Sequence, residues 1–393
     1  MSPGTPFEVK GWCPGALTPM LSGDGLVARV RPVAARLSPE QVRVIGDIAR
    51  RYGNGVIELT RRANVQIRGL VEGNLEVVQS LLLEARLLDP SPEVERRRNI
   101  ISSPLDGIDP DCLPTQALET ELRHALAEAE DLAALPAKFG FVINGGGVMT
   151  LDGVAADIRL DLFQEAGKVA CLLSGPGLET PARLPLDQVV EAIIKSCRFF
   201  IKNTPQDTVK EKKIFPGNPL EIHAGTHLGP LPGTNAFAIA APFGSLTLEQ
   251  WEVLENSSEE VRITPWRSGV LSRFDRDSFS SFKAVGWIND PSDPRLNIVA
   301  CSGAPACASA VGDTRHLANQ LAELSSDKRA RIHISGCPKS CAASESFDVA
   351  IVAVEGGYRL ATDTTIRDIQ GGLTHSAEEV PAALTKLTEL DRI

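Results

Sequence analysis

Leu37-Ser38-Pro39-Glu40-Gln41 and Leu246-Thr247-Leu248-Glu249-Gln250 are the two stretches on which the reading of this chain turns. Each sets a Ser or Thr ahead of a Glu-Gln pair and then an apolar helical periodicity. Val42, Ile45, Ile48 and Ala49 carry it in the first, Trp251, Val253 and Leu254 in the second. This is the signature of a capped helix start. Each helix is followed by a strand-like run, Val56-Ile57-Glu58-Leu59-Thr60 and Val261-Arg262-Ile263-Thr264. Both runs end in Thr with Arg close behind, in Thr60-Arg61-Arg62 and in Thr264-Pro265-Trp266-Arg267. Downstream, Asn99-Ile100-Ile101-Ser102-Ser103 echoes Asn297-Ile298-Val299-Ala300-Cys301. The offsets, 264 − 60 = 204 and 297 − 99 = 198, nearly agree. Two echoes at one spacing predict a tandem duplication with a repeat of about 200 residues.

Within each half the order reads strand, helix, strand, a Gly/Pro-containing connection, then a larger mixed α/β region. Helical periodicity is expected over 77–88, 116–132 and 186–200, and the apolar Ala236 to Phe243 stretch reads as a buried strand. Asn144-Gly145-Gly146-Gly147 and Asp152-Gly153 mark a turn between strands. Pro-rich stretches at 89–92, 216–232 and 290–294 are the expected linkers.

Composition removes several classes. With 43% hydrophobic and 23% charged residues, collagen-like, coiled-coil and disordered chains are excluded. A net charge of −10 argues against a general nucleic-acid binder, which needs a basic surface, but allows a local basic pocket. The N-terminal stretch lacks a basic segment followed by an apolar run, and no apolar stretch approaches the roughly 18 residues that cross a bilayer. The expectation is a cytoplasmic protein without membrane contact, where thiols serve as ligands or nucleophiles rather than as bridges.

Four of the eight cysteines are patterned: Cys301-x5-Cys307, then Cys337-x3-Cys341, in the contexts CSGAPACASA and SGCPKSCA. Small residues and Pro let the backbone approach a bulky inorganic core. Four thiolates suit zinc or an iron–sulfur cluster. A five-residue gap is wide for a zinc knuckle, so the spacing favours the cluster over zinc and over four unligated buried thiols. Cys13, Cys112, Cys171 and Cys197 share no paired spacing and read as small structural residues.

These cysteines, together with two halves whose strands end in Thr and Arg, resemble the sirohaem-dependent nitrite and sulfite reductases. The resemblance covers nearly the whole chain. It implies an α+β fold built by tandem duplication, each half a ferredoxin-like half-domain followed by a mixed α/β nitrite/sulfite reductase-type domain. The domain limits expected from it are 8–75 and 222–285 for the half-domains, 80–215 for a tetrapyrrole-pocket domain without a cluster, and 290–393 for the cluster domain. It implies that Cys301, Cys307, Cys337 and Cys341 hold a [4Fe–4S] cluster. Thr60 to Gln66 is similar to the family's Thr-Thr-Arg-Gln…Gln segment, Arg98-Asn99-Ile100 to its Arg-Asn-Val segment, and Leu135-Pro136-Ala137-Lys138-Phe139 to its Leu-Pro-Arg-Lys-Phe segment. The resemblance thus makes Arg62 and Arg98 binders of an anionic tetrapyrrole and turns Lys138, the catalytic candidate, toward the substrate. Arg61, Arg68 and Arg267 join them as further basic residues on or near the two strand ends, apt for gripping carboxylates.

The departures point to one branch. Reductases of the family carry a second basic residue two positions after that Lys, where this chain has Gly140. Their last cysteine pair usually encloses Asn-Gly, where this chain has Lys339-Ser340. The chain is also short for an assimilatory reductase. In these respects it resembles the precorrin-3B synthase branch. That resemblance implies an O2-dependent monooxygenase that hydroxylates precorrin-3A and closes a lactone in aerobic cobalamin biosynthesis. The implied cofactors are the cluster, a mononuclear non-haem iron of unknown ligands, and NADH-derived electrons. His223-x3-His227 is the nearest pair for that iron, while His333 reads as a structural strand residue and His124 as a surface one. No dinucleotide fingerprint follows a strand, so a separate reductase partner is expected to deliver the electrons. The competing readings are a sirohaem-dependent nitrite or sulfite reductase and a non-catalytic iron–sulfur electron carrier.

Overall fold

Ser38 and Thr247 cap the two helices that the sequence echo marks out. In the computed structural model, which describes residues 13–204, 227–257, 259–273, 279–324 and 330–390, both form capping boxes. The Ser38 hydroxyl accepts from Gln41 N, and the Gln41 side chain accepts from Ser38 N. Thr247 and Gln250 repeat both bonds. Each box satisfies two donors that a helix start leaves open.

The described residues fall into two units. One is made of Trp12–Met20 and Leu26–Asn289, the other of Asp290–Ile393 with Leu21–Gly25. After the short strand β1 (Met20–Ser22), the first half-domain runs β2 (Gly25–Val30), β3 (Arg36–Leu37), α1 (Pro39–Arg51), β4 (Ile57–Leu59), β5 (Val65–Leu70) and α2 (Leu75–Glu84). A short α3 (Pro92–Arg97) leads to β6 (Ile100–Ser102), α4 (Gln116–Glu128), β7 (Phe141–Asn144), β8 (Ile158–Glu165), β9 (Lys168–Ser174), β10 (Ala182–Pro185) and α5 (Leu186–Asn203). The second half-domain then follows as β11 (Gly229–Pro230), β12 (Phe237–Ala240), β13 (Ser245–Leu246), α6 (Leu248–Asn256), β14 (Val261–Ile263), β15 (Ser268–Leu271) and α7 (Phe279–Ala284).

The two half-domains exchange strands. In one sheet β2, β5, β4 and β13 lie side by side, and in the other β12, β15, β14 and β3. The two-residue strands β3 and β13 therefore each complete the sheet of the other half, with Leu37 opposite Val261 and Leu246 opposite Ile57. A left-handed turn makes each crossing, through Ala34 (φ 50°) and Ala35 (φ 54°) in the first half and Phe243 (φ 54°) and Gly244 (φ 77°) in the second. Leu37, Ile45, Ile57, Ile67, Trp251, Ile263 and Trp287 share one core. Gly46 lets α1 approach α6, because a Cβ there would meet Trp251 Cδ1 at 2.9 Å.

The larger mixed regions repeat as well. β6, β7 and β8 are parallel and β8–β9–β10 antiparallel. In the other unit β16 (Ile298–Ala300), α8 (Thr314–Leu324), β17 (Ile332–Ser335), β18 (Phe347–Val354), β19 (Gly357–Thr364) and α9 (Val380–Leu390) follow the same plan. There β16, β17 and β18 are parallel, with β19 antiparallel at the edge. Strand starts keep the expected offsets, 261 − 57 = 204 for β14 against β4 and 298 − 100 = 198 for β16 against β6.

Local expectations hold unevenly. The Ala236–Phe243 stretch contains the fully buried strand β12. The helix expected over 77–88 ends at Glu84, because Arg86 leaves it with a left-handed φ of 58°. The helix expected to reach 132 ends at Glu128 and continues as a 3-10 turn. The 89–92 stretch is not a slack linker: Asp89 is buried in an ion pair, and Ser91 caps α3. Most of the 216–232 linker lies outside the described residues. Among the described residues, no helix is long and apolar enough to cross a membrane.

Candidate functional site

Thr60 and Thr264 turn their chains by the same device. The Thr60 hydroxyl accepts from Arg62 N at 3.3 Å and Asn64 N at 3.1 Å, and the Thr264 hydroxyl accepts from Trp266 N at 3.2 Å. A left-handed residue follows in each case, Ala63 (φ 52°) and Arg267 (φ 57°). The twin of Arg62 is therefore Trp266, and the twin of Arg267 is Ala63. Arg267 is half-buried and donates to Phe243 O at 3.4 Å. Trp266 is buried, with the His227 ring 5.1 Å away.

In the first half, Arg62 shares a cationic neighbourhood with two residues that the sequence reading missed, Arg29 on β2 and Arg31 just after it. Arg29 donates two bonds to Gln66 Oε1, at 3.0 and 2.7 Å, and the Cys13 thiol lies close to it. Gln66 in turn donates to Glu58 at 2.8 Å. Burial lowers the pKa of Arg29 and Arg62, and each is pushed further down by a neighbouring guanidinium. Arg31 is only 4% exposed, and burial, with Arg29 and Arg98 nearby, takes it down to about 10. Its Nη1 lies 2.9 Å from Glu95, while its Nε has no hydrogen-bond acceptor. Arg29, Arg31 and Arg62 would be stabilised by a bound anion, since a carboxylate relieves the mutual repulsion of cations held partly out of water. Among the described residues, the second half offers no such face. Strand register puts Ala238, Ala240 and Val270 where the first half has Arg29, Arg31 and Gln66, and all three are buried.

The other basic candidates are placed differently. Arg68 is buried against Glu58 at 3.2 Å. Arg98 grips Asp89 with two bonds, at 2.8 and 2.7 Å, and donates to Arg31 O. Arg61 is exposed. Lys138 is exposed, and its carbonyl accepts from Arg62 Nη2 at 2.9 Å. Two positions on, Gly140 N donates to the buried carboxylate of Asp157 at 2.7 Å. His124 is exposed and His333 fully buried on β17, as the sequence suggested. His227 is half-buried, whereas His223 lies outside the described residues.

The patterned cysteines belong to the other unit. Cys301 follows β16 and Cys337 follows β17, so both leave the carboxyl ends of adjacent parallel strands, the usual ligand edge of such a sheet. Cys301 Sγ accepts from Gly336 N at 3.2 Å, and the Lys339 N–H bonds to the Cys337 thiol. Burial raises the pKa of Cys337 and Cys341, and the neighbouring cysteines raise both further. All four thiols are free. Among the described residues no three His, Cys, Asp or Glu are gathered tightly enough for one metal ion. The N–H groups of Gly336 and Lys339 aimed at sulfur suit thiolate ligands of a metal core. Gly336 admits nothing larger, since a Cβ there would meet Ala310 Cβ at 2.6 Å.

The first half carries the same loop without thiols at the cluster-ligand positions. Ser103 replaces Cys301, and its hydroxyl accepts from Gly145 N at 2.7 Å, the twin of the Gly336–Cys301 bond. Leu113 N donates to Gly145 O as Val311 N does to Gly336 O. Asp109 stands for Cys307 and accepts from Asp111 N and Val148 N.

Three of the remaining cysteines are inert by burial, which pushes Cys112 up to about 11 and Cys171 and Cys197 up to about 12. A haloacetamide should therefore label these three only after unfolding, as peptide mass spectrometry would report. Their raised values mean that the fold favours the neutral thiol. That contribution is intact below about pH 8.5, the ordinary thiol value, and is lost as pH climbs toward the folded values.

Comparison with known proteins agrees with this division. Residues 18–85 match the nitrite/sulfite reductase ferredoxin-like half domain, and residues 292–363 match the nitrite and sulphite reductase 4Fe-4S domain. A precorrin-3B synthase of Sinorhizobium sp is 27% identical over 98% of this chain and 89% of its own length. A ferredoxin–nitrite reductase of Synechococcus elongatus is 22% identical, over 90% of this chain and 81% of its own. For a ferredoxin-dependent sulfite reductase of Mycobacterium tuberculosis the identity is 26%, over 84% and 70%. The solved structure of the M. tuberculosis NirA protein superposes with a TM-score of 0.64 at 18% identity, covering 93% of this chain and 80% of that one, a likeness of fold. The chain thus carries two domains of the nitrite and sulfite reductases, the 4Fe-4S domain toward its C-terminal end, and is similar over nearly its whole length to a precorrin-3B synthase.

Proposed function

We propose that this chain is a precorrin-3B synthase, a monooxygenase that takes precorrin-3A, O2 and two electrons to the hydroxylated lactone and water. One oxygen atom enters the substrate at the meso carbon between rings A and D, and the other leaves as water with two protons. Its single carrying observation is Gly140. Where the reductases place a second basic side chain beside the Lys, this chain presents a backbone N–H bound to the buried carboxylate of Asp157. A carboxylate there disfavours a small oxyanion. The one-sided arginine face suits a larger ligand that brings several acid groups of its own.

Arg29 and Arg62 bind acetate or propionate groups, Arg31 adds to the field that draws them in, and Lys138 lies at the reacting end. Cys301, Cys307, Cys337 and Cys341 hold the [4Fe–4S] cluster, which supplies electrons one at a time when bound. The electrons derive from NADH through a separate reductase, in the cytoplasm. No described residues gather into a set that fits the mononuclear iron, so none is assigned to it and no step is drawn through it.

The test is direct. Anaerobically purified protein should contain cluster iron and sulfide without stoichiometric sirohaem, and should convert precorrin-3A to the hydroxylactone under O2 with NADH and a reductase. Bound sirohaem, together with nitrite or sulfite reduction and no hydroxylactone, would establish the reductase reading instead, which the retained arginine face also accommodates. Arg29→Gln and Arg62→Gln should each weaken precorrin-3A binding about 10- to 100-fold, the worth of a charge-assisted hydrogen bond. Arg267→Gln should change it less than about threefold, because its backbone carbonyl contact lies on the half without a cationic face. Fluorescence or absorbance titration reads all three.

A further inference from the structure

Lys339 stands between the last two cysteines, and its side chain reaches out of its own loop. Its Nζ donates to Ser309 Oγ at 2.9 Å, and Ser309 lies two residues after Cys307. One side chain thus straps the loop of Cys337 and Cys341 to the loop of Cys307. The backbone beneath it is fixed at three points. The Lys339 N–H bonds to the Cys337 thiol, its carbonyl accepts from Arg367 Nη2 at 3.3 Å, and Ser340 takes a left-handed φ of 57°. Lys339 is half-buried, so solvent screens its charge less than that of a free surface lysine. The charge acts on both Cys337 and Cys341.

From this geometry we infer that Lys339 is a positioning residue that sets the reduction potential of the cluster, with Ser309 as the anchor of its ammonium group. The inference rests on the reading that the four cysteines hold a [4Fe–4S] cluster, and goes beyond it by assigning the control of its potential. Each electron added makes a thiolate-ligated cluster more negative. A cation tethered beside two of its ligands therefore favours the reduced form, and hydrogen bonds and charge around the sulfurs tune potential in general. The strap also keeps that charge at a fixed distance, which a lysine free to swing into solvent would not do.

An electron paramagnetic resonance titration of the reduced cluster under anaerobic conditions tests this on the full chain. Lys339→Met should lower the reduced-to-oxidised ratio at a fixed potential about tenfold, about 59 mV for a one-electron couple. Lys339→Arg should stay close to the parent, since the charge remains. Ser309→Ala keeps the ammonium but cuts its anchor, and should fall between the two. Intact clusters in Lys339→Met with the parent potential overturn the inference. If Lys339→Met takes up no cluster, Ser309→Ala decides, and an unchanged potential there overturns it equally. A parent protein lacking acid-labile sulfide would instead remove the cluster reading itself, a different and separable failure.

Discussion

Cys301→Ser should yield a folded chain that holds no cluster. Iron and acid-labile sulfide should fall from about four of each per chain to a small fraction of that, since a neutral hydroxyl is a poor substitute for a soft thiolate. Product formation should drop with them to background. The molecule contains its own control for the fold. At the equivalent place in the first half, Ser103 already occupies the end of β6, and its hydroxyl takes the Gly145 N–H at 2.7 Å as the Cys301 sulfur takes the Gly336 N–H at 3.2 Å. The backbone amide of the residue itself bonds the neighbouring strand in both halves, Ser103 N to Ile143 O and Cys301 N to Ile334 O. A serine at 301 thus has a hydrogen-bonding scheme that this loop is known to accept. The far-UV circular dichroism spectrum should be retained while the cluster absorbance disappears. Retention of four irons and their sulfide in Cys301→Ser would show that this thiol is not a ligand.

The parts of this molecule that could be read from sequence are those whose signal is local. The capping boxes at Ser38 and Thr247 and the Thr turns at Thr60 and Thr264 are each written within five residues, and two copies at one offset gave the duplication. The cysteine spacing is equally local. The exchange of β3 and β13 could not be read, because a two-residue strand has no periodicity and its partner lies about 200 residues away in sequence. Arg29 and Arg31 escaped for a related reason. They precede the echo that opens at Leu37, and only pairing with β5 tells which face of β2 Arg29 occupies. One signal was present. Set beside its twin, Phe237-Ala238-Ile239-Ala240, the segment Ala28-Arg29-Val30-Arg31 differs by two arginines in an otherwise apolar strand. Cys13 was set aside as structural for want of a paired partner, and the fold places its thiol against Arg29. Arg68 and Arg98 show the opposite limit, since motif and spacing cannot tell an arginine that awaits a ligand from one already bound to a carboxylate of its own chain.

Asp89→Asn, which turns that last distinction into a measurement, should destabilise the larger unit by about 3–5 kcal/mol, the usual cost of stranding one member of a buried ion pair. Asp89 and Arg98 are 8% and 7% exposed, and the guanidinium uses both carboxylate oxygens as well as the Arg31 carbonyl. Without the carboxylate, Arg98 would remain buried as a cation beside Arg31, itself already a desolvated cation. Arg98→Met should cost a similar amount by stranding Asp89. The double replacement Asp89→Leu with Arg98→Met should recover most of the loss, because an apolar pair of similar volume avoids the desolvation that the ion pair must offset. Denaturant unfolding of Asp89→Leu, Arg98→Met and the double variant gives the coupling directly. The same double variant then decides what Arg98 does. The family segment it belongs to implies a ligand-binding arginine, whereas the geometry commits its Nε and Nη2 to the protein. If the geometry governs, the refolded double variant should bind precorrin-3A within about threefold of the parent, less than a kcal/mol. A loss of tenfold or more in a variant of normal stability would mean that Asp89 releases Arg98 to the ligand, and that the buried ion pair describes only the ligand-free state.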